Sequence, residues 1–260
     1  MSCLLKKLLN TTNKKTTILL LSVVFFFVSL MTLQQEAYAQ KSFSKTYPAS
    51  KNVNLQLTNR TGTVTVEGWN KDSVQISAYM EAPAANIVPQ SLSGTILINV
   101  VKDNQGRNEV GNVNFKIKVP YYSSVNIETV MGNLSVSNVA GGFVRAHIAS
   151  DGDITLTNIS ALAVSAENGI GDIFFDGDIK PGGRYRFTSM RGAINLRIPF
   201  ESSFSLVATA PSTRNINLSS LENAGLRFVS EGRRVVGKIG DGSATINVVN
   251  QRGSIAFIRR

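Results

Sequence analysis

Few side chains in this 260-residue sequence could carry catalysis. His147 is the only histidine, so a Ser-His-Asp triad would have to include it, and metal sites that need two imidazoles are excluded. Between residues 144 and 148, apolar residues alternate with Arg145 and His147, which predicts a strand with His147 on its outer face. A lone outward histidine does not make an active site. We therefore expect a protein that is not an enzyme and needs no cofactor.

Acidic residues gather in three glycine-containing segments. These are Asp151-Gly-Asp153, Gly171-Asp172 and Asp176-Gly-Asp178. Asp153 and Asp172 hold the same position in successive repeats, so stacked coils would place one above the other. A ladder of carboxylates could bind Ca²⁺, although neighbouring copies carry Asn133 and Ala193 and depart from the calcium-binding Gly-Gly-x-Gly-x-Asp repeat. Asp-Gly also forms turns readily. Turns are the favoured interpretation, and we assign no metal site.

Basic residues concentrate late in the chain. The candidate ligand-binding residues are Arg184, Arg186, Arg191 and Arg197, and Arg227, Arg233, Arg234 and Lys238 follow them. In the segment 184–188 the two arginines would share the outer face of a strand, opposite two aromatic residues. Such a row could attract an anionic envelope polymer or glycan, or lipid headgroups. A solvated basic face without a ligand is the alternative. Nucleic acid is not expected, because no nucleic-acid-binding motif accompanies the charge.

Three aromatic residues could contact sugars. Tyr121 and Tyr122 are adjacent, and Trp69 follows the first clear repeat. Their rings could stack on a sugar. Tyrosine and tryptophan also favour half-buried positions with a wet polar tip, and we expect these residues to cover the edges or ends of coils.

The elements that would position these residues follow a repeat, Gly-x-apolar-x-apolar, which occurs eight times. Its glycines are Gly62, Gly94, Gly111, Gly132, Gly152, Gly171, Gly192 and Gly253, and a ninth copy without glycine contains Ile216 and Leu218. From Gly111 to Gly192 the steps are 21, 20, 19 and 21 residues. Alternating apolar residues predict strands with one buried face. A fixed period near 20 predicts an all-β fold, a β-solenoid or single-stranded β-helix-like stack of short coils.

Corners and ends can also be predicted. Residues tolerant of positive φ occupy the sixth position after the repeat glycine in four copies, as Gly68, Asn138, Asn158 and Gly177. Charged residues would guard the exposed edges of the terminal coils. We expect Lys41 and Lys45 at one end and Arg252, Arg259 and Arg260 at the other. The segments 102–111 and 233–243 are predicted to form long turns.

A longer repeat begins with proline at Pro48, Pro120 and Pro199, at spacings of 72 and 79 residues. Each proline is followed five and seven residues later by an apolar pair, as at Val125 and Ile127. Proline lacks a backbone donor and suits the junction between strands. The pattern predicts three internally related segments, starting near residues 48, 120 and 199, within a single domain of residues 40–260.

The first 39 residues predict a secretory signal peptide. Four lysines precede an uncharged run from Thr16 to Leu33, and Ala37-Tyr38-Ala39 provides a cleavage site. An uncleaved membrane anchor is the alternative. The only cysteine, Cys3, lies in this segment, so the mature chain would have no disulfide. The whole chain has a net charge of +10, and it stays basic without this segment. No second long apolar stretch follows, so we expect no transmembrane segment after cleavage.

The signal peptide, the entry segment 58–69, the glycine repeats and the Val/Ile-Pro junctions together resemble a bacterial family of exported domains of unknown function, known as candidate adhesins. The resemblance covers most of residues 45–260. It implies a β-solenoid in the cell envelope of a bacterium, and it transfers no catalytic residues to this sequence.

The functional expectation is a non-catalytic envelope or surface protein, an adhesin-like binding module exported to the periplasm, the outer surface or the medium. Its partner would be an anionic polymer, a glycan or another protein. Rows of outward polar residues, at Thr63, Thr65, Ser135, Thr155, Asn195 and Asn217, favour this hypothesis. A periplasmic structural or signalling accessory is the first alternative. A polysaccharide-active β-helix enzyme is the second, and it is disfavoured because short coils leave little material for the walls of a cleft.

Overall fold

The structure is a computed structural model that describes residues 41–218, 221 and 225–260. The predicted signal peptide and Cys3 lie outside these residues. The described residues form two sheets. Sheet A contains β1 (Lys41–Pro48), β3 (Val64–Trp69), β4 (Ser73–Met80), β7 (Val113–Pro120), β9 (Leu134–Val139), β11 (Ile154–Ile159), β13 (Ile173–Gly177), β15 (Ile194–Ile198), β17 (Ile216–Asn217) and β21 (Ile255–Arg259).

Sheet B contains the other strands, and one short helix follows β6. Its strands are β2 (Asn54–Thr58), β5 (Gln90–Leu92), β6 (Thr95–Asn99), β8 (Ser124–Met131), β10 (Phe143–Asp151), β12 (Ala163–Ile170), β14 (Arg184–Arg191), β16 (Phe204–Thr209), β18 (Leu226–Val229), β19 (Arg234–Ile239) and β20 (Ala244–Arg252). The helix, α1, is Val100–Asp103. Within the described ranges no helix is long and apolar enough to cross a membrane.

Each coil contributes one strand to each sheet, and eight strands run parallel in each sheet. In sheet A their order is β7-β3-β9-β11-β13-β15-β21-β17, and in sheet B it is β6-β2-β8-β10-β12-β14-β20-β16. Apolar residues of both sheets point into one shared core, with Ile154 and Leu156 of β11 fully buried. The predicted all-β, solenoid-like stack of coils is confirmed.

The order of the coils in space differs from their order in the sequence. β20 and β21, the last strands of the chain, lie between the β14–β15 coil and the β16–β17 coil. At the other end, β2 and β3 come before β6 and β7 in sequence but lie inside them. The outermost parallel coils are therefore β6–β7 at one end, which covers the β2–β3 coil, and β16–β17 at the other, which covers the β20–β21 coil.

Antiparallel strands close the stack. β1 and β4 extend sheet A beyond β7, β5 lies beside β6, and β18 and β19 extend sheet B beyond β16. The prediction of a long turn over residues 233–243 is wrong, because β19 occupies most of that segment. The segment 102–111 consists of the end of α1 and turns.

The predicted end charges are confirmed at one end only. Lys41 and Lys45 lie on β1, the outermost strand of sheet A. Arg252, Arg259 and Arg260 do not lie at the opposite end, because the coil that contains them is inserted into the stack. Arg260 pairs there with Asp176 and Asp178, and the guanidinium of Arg259 lies 4.0 Å from the ring centre of Phe200.

The repeat glycines lie above one another at the corner that leads into sheet A. The carbonyl oxygens of Gly62, Gly132, Gly152, Gly171 and Gly192 each occupy the space that a Cβ on the next glycine of the ladder would need. The ladder ends at Gly253. Two of the eight copies lie outside the ladder: Gly94 precedes β6 in sheet B, and a Cβ on Gly111 would meet the Glu81 carbonyl and not another repeat glycine.

At the second corner, Asn138 and Asn158 have φ of 58° and 53°, as predicted. Gly68 and Gly177 do not have positive φ. The prediction is wrong for these two. There is no space for a side chain at either position, because a Cβ on Gly68 would overlap the carbonyl of Asn138 and a Cβ on Gly177 would overlap the carbonyl of Ile159.

Candidate functional site

The four arginines predicted as ligand contacts lie in three places. Arg184 and Arg186 are both exposed on the outer face of β14, where they alternate with buried Tyr185 and Phe187. Arg191 ends β14 at the corner. Arg197 lies on β15 in the other sheet, where its guanidinium is 3.7 Å from the Asp176 carboxylate. Only the first pair shares a surface.

That surface continues across sheet B. Five neighbouring strands, in the order β14, β20, β16, β19 and β18, present outward side chains that include five basic residues and no carboxylate. The basic residues are Arg184, Arg186, Arg227, Arg234 and Lys238, and we call this surface the basic face. The register follows from β19, where Arg234 lies opposite Thr209 and Lys238 opposite Ser205, both outward positions of β16. Its field is therefore positive and favours anionic partners.

A trough of about 410 Å³ lies at one border of the basic face. Its floor is β12, whose outward residues Ala163 and Ser165 are small. Phe143 and Arg145 of β10 form one wall, and the guanidinium-bearing side chains of β14 form the other. The trough exists because two long side chains on each neighbouring strand flank two short ones, and Ala163 lies opposite Arg184 in the register.

The arginines around the trough differ in whether they form ion pairs within the protein. Arg145 pairs with Glu128 at 3.3 Å. Arg184 and Arg186 form no ion pair and donate no side-chain hydrogen bond to any residue in the described ranges. A free guanidinium can make two parallel hydrogen bonds to a carboxylate or a phosphate. Arg184 and Arg186 are therefore the residues of the trough that can bind an anion.

Tyr185, on the buried face of β14, anchors this strand to the core. Its side-chain oxygen accepts a hydrogen bond from the Lys180 backbone N–H at 2.7 Å and lies 3.1 Å from the Ala161 carbonyl oxygen, to which the hydroxyl donates. Burial raises the pKa of the Tyr185 phenol above its ordinary value, and the nearby Asp178 carboxylate raises it further. The ring packs near Phe175, with centres 6.1 Å apart. The strand that carries the free arginines is thus firmly anchored.

His147 lies on the outer face of β10, as predicted, with Val144, Ala146 and Ile148 buried on the other side. Its Nδ1 is 3.8 Å from Glu167 Oε2 on the neighbouring strand. The register also places it beside Glu128.

The acidic ladder serves the backbone. Asp153 and Asp172 do stack, and Asp153 Oδ1 accepts a hydrogen bond from the backbone N–H of Asp172 at 2.8 Å. Asp172 Oδ1 accepts from the N–H of Ala193 at 2.7 Å, and Asn133 Oδ1 accepts from the N–H of Asp153 at 3.0 Å. Within the described part of the chain, no group of three or more His, Cys, Asp or Glu side chains could hold a metal ion. These carboxylates tie each coil to the next.

The aromatic candidates differ in exposure. The Trp69 indole N–H donates to the Ser73 carbonyl at 2.8 Å, and the ammonium groups of Lys71 and Lys118 lie 4.9 and 5.6 Å from the centre of the indole ring. Its ring is therefore engaged within the protein. Tyr121 and Tyr122 form an edge-to-face pair with ring centres 5.1 Å apart, and 58% of Tyr122 is exposed.

The outward polar row of sheet A is interrupted. Thr65, Ser135 and Thr155 are register neighbours, as expected. Phe174 lies between Thr155 and Asn195, and Ala256 lies between Asn195 and Asn217. The row does not form a continuous polar surface, so the basic face of sheet B is the better site.

Sequence reasoning missed part of this site. It placed Arg234 and Lys238 in a turn, although their even spacing is compatible with one face of a strand. It also passed over Ala163 and Ser165, since small outward residues become informative only when their neighbours are known. Outside this site, the buried side-chain amides of Asn168 and Asn250 were not predicted either. Their Nδ2 atoms donate to the carbonyls of Gly152 and Gly192 at 2.7 Å, at the glycine corners.

Comparisons with solved structures found matches at low sequence identity, of which the first supports the fold. A candidate cell adhesion protein from Clostridium sporogenes is similar over 85% of this chain and 100% of its own, with a TM-score of 0.51 and 12% identity. A candidate adhesin from Bacteroides fragilis matches over 85% and 97%, with a TM-score of 0.36 and 8% identity. A candidate lipid-binding protein from Parabacteroides distasonis matches over 85% and 97%, with a TM-score of 0.36 and 12% identity.

A search of curated proteins found no match to this sequence. The model of the toastrack family, DUF4097, matches residues 30–257. That match spans most of the sequence and agrees with the two stacked sheets and with the resemblance noted from the repeats. The chain belongs to the toastrack family, DUF4097.

Proposed function

We propose that this protein is a non-catalytic, exported binding module of the bacterial cell envelope, of the adhesin type, and that the basic face binds an anionic polymer or glycan. The observation that carries the proposal is the pair Arg184 and Arg186, which lies beside the trough without any ion pair in the described residues. The family membership and the similar fold of the clostridial candidate adhesion protein support an adhesin-type role.

The charge distribution favours a polymer as the ligand. Basic side chains extend from β14 to β18, which are separated by four strand spacings, or about 19 Å. A ligand with repeated carboxylates or phosphates can contact several of these side chains together. Each contact is exposed, so binding should weaken as salt screens the charges.

The arrangement around His147 supports a binding function over catalysis. Its nearest charged partner is a glutamate on a neighbouring outward position, and His147 is not among the residues that line the trough. Hydrolases and lyases of polysaccharides require convergent acids or bases in a cleft.

Isothermal titration calorimetry at low and physiological NaCl tests the proposal. The protein, purified from a host that expresses the full chain, is titrated with polygalacturonate and with polyglycerol phosphate. We expect salt-sensitive binding to at least one of them, weakened about tenfold or more in the double variant Arg184→Ala/Arg186→Ala, since two charge-assisted hydrogen bonds are lost.

The matched control is Lys41→Ala/Lys45→Ala, which removes the same charge from the edge of sheet A and should bind normally. The proposed site is wrong if neither polyanion binds, or if both double variants lose affinity equally. Shortened or unsaturated oligosaccharides in the reaction mixture would overturn the non-catalytic assignment. Loss of the protein on protease treatment of intact cells would place it at the outer surface, and protection would place it in the periplasm.

A further inference from the structure

A second depression, of about 570 Å³, lies on sheet B away from the basic face. It surrounds the start of β2, β6 and β8 and includes the loops before them. Its chemistry differs from that of the trough, because none of its lining residues is charged. The polar residues and the aromatic residue that matter here are Ser50, Asn52, Asn54, Ser93, Thr95 and Tyr122.

Most polar side chains of this depression form no hydrogen bond within the protein. Ser124 is the exception, because its Oγ accepts the backbone N–H of Gly142 at 3.2 Å. The side chains of Ser50, Asn52, Ser93 and Thr95 make no hydrogen bond to any residue in the described ranges, and neither does that of Asn54, whose Oδ1 is buried. The corner of sheet A gives the contrast: Asn133, Asp153 and Asp172 each accept a backbone N–H of the next coil. Those three corner residues are engaged within the protein, whereas Ser50, Asn52, Ser93 and Thr95 keep their polar groups available to a ligand.

Tyr122 supplies an aromatic surface at the same place. The residue is 58% exposed, while its neighbour Tyr121 is half-buried and packs against it edge to face. The backbone N–H of Tyr121 donates to the carbonyl of Trp69 at 2.9 Å, which fixes the loop. A large exposed ring held on an anchored loop offers a ligand a preformed apolar surface.

We propose that this depression binds a neutral sugar residue, with the sugar ring stacked on Tyr122. An aromatic ring meets the C–H face of a sugar, and hydroxyl and amide groups exchange hydrogen bonds with the sugar hydroxyls. The lack of charged side chains selects against acidic sugars and phosphates, which have the basic face available. Asn54 and Ser124 are register neighbours on β2 and β8, so strand pairing fixes this part of the lining.

This site is independent of the anionic site. β8 and β14 are separated by three strand spacings, or about 14 Å, and the two depressions share no lining residue. Failure of one proposal therefore leaves the other unchanged.

The test uses neutral oligosaccharides, each of six residues, made of glucose, galactose, mannose, xylose or N-acetylglucosamine. The protein from the full expressed chain is titrated by calorimetry, and saturation-transfer NMR identifies the sugar protons in contact. We expect at least one hexasaccharide to bind, with affinity that salt does not change. Tyr122→Ala should weaken binding roughly 3- to 10-fold, as expected for the loss of one aromatic stacking contact, and Tyr122→Phe should keep it.

The matched control is Tyr79→Ala, which removes another exposed tyrosine, on β4 of sheet A, and should bind as the unaltered protein does. Arg184→Ala/Arg186→Ala should also bind the neutral sugar normally, which separates this site from the anionic one. The proposal is overturned if no neutral hexasaccharide binds, or if Tyr122→Ala and Tyr79→Ala have equal affinity.

Discussion

A Cβ on Gly253 would overlap the carbonyl oxygen of Gly192, although the two residues belong to distant parts of the chain. The contact exists because β21 lies directly beside β15. The C-terminal coil therefore enters the stack as an inner layer, and its fit depends on a position without a side chain.

Gly253→Ala should lower the free energy of unfolding by about 2–4 kcal/mol, because the added methyl group would push β21 away from β15. Urea denaturation measures the change. The control is Gly142→Ala, where the nearest atom to the new Cβ is Ser124 Oγ at 3.4 Å; its cost should stay within about 1 kcal/mol. Equal losses in the two variants would contradict the inserted position of the C-terminal coil.

Neighbouring substitutions in β11 should differ sharply. Ile154 is fully buried, and Thr155 lies on the outer face between Ser135 and Phe174. Ile154→Asp should cost about 3–5 kcal/mol or prevent folding, because it buries a charge without a partner. Thr155→Asp should change the free energy of unfolding by less than about 1 kcal/mol. A similar fall in melting temperature for both would refute the assigned facing.

Tyr185→Phe should destabilise the protein by about 1–2 kcal/mol near neutral pH, since the Lys180 N–H and the Ala161 carbonyl lose a buried partner. Burial raises the pKa of Tyr185, so the folded state holds the phenol proton more tightly than the unfolded state does. The corresponding stability is fully present below the ordinary pKa of 10.0 and is lost as pH rises through the raised value.

Urea denaturation of both proteins between pH 8 and pH 11 isolates this effect, because groups common to both titrate alike. The stability advantage of tyrosine over phenylalanine should shrink above about pH 10. An advantage that stays constant or grows across this range would show that the pKa of Tyr185 is not raised in the folded protein.

Asp172 should contribute to stability through its backbone contact without any need for calcium. Asp172→Ala removes the acceptor for the Ala193 N–H and should cost about 1 kcal/mol. Asp172→Asn keeps an oxygen acceptor and should cost less. Melting temperatures measured in millimolar CaCl₂ and in EDTA should agree for all three proteins. A rise with Ca²⁺ that Asp172→Ala abolishes would instead establish a calcium site.

The candidate site was partly predictable. The alternation from Arg184 to Phe187 placed both arginines outward, because strand geometry turns successive side chains to opposite faces. That rule could not say which strand lies next to β14. The small residues Ala163 and Ser165 became the floor of a trough only through the pairing of β12 with β10 and β14.

The sequence by itself determined which side chains face the core and where the chain bends, because a period of two and a repeated glycine are local consequences of strand geometry and backbone space. Only the tertiary structure decided which coils are neighbours. Every coil offers the same alternating apolar face, so the pattern cannot say which coils are adjacent. Gly111 and Gly132 belong to consecutive copies of the repeat, yet β3 lies between β7 and β9, the strands that follow them. The apolar pattern alone leaves all coils equivalent. They are distinguished by the antiparallel strands that close the ends of the stack, by close backbone contacts at the glycine corners and by ion pairs such as Arg260 with Asp176.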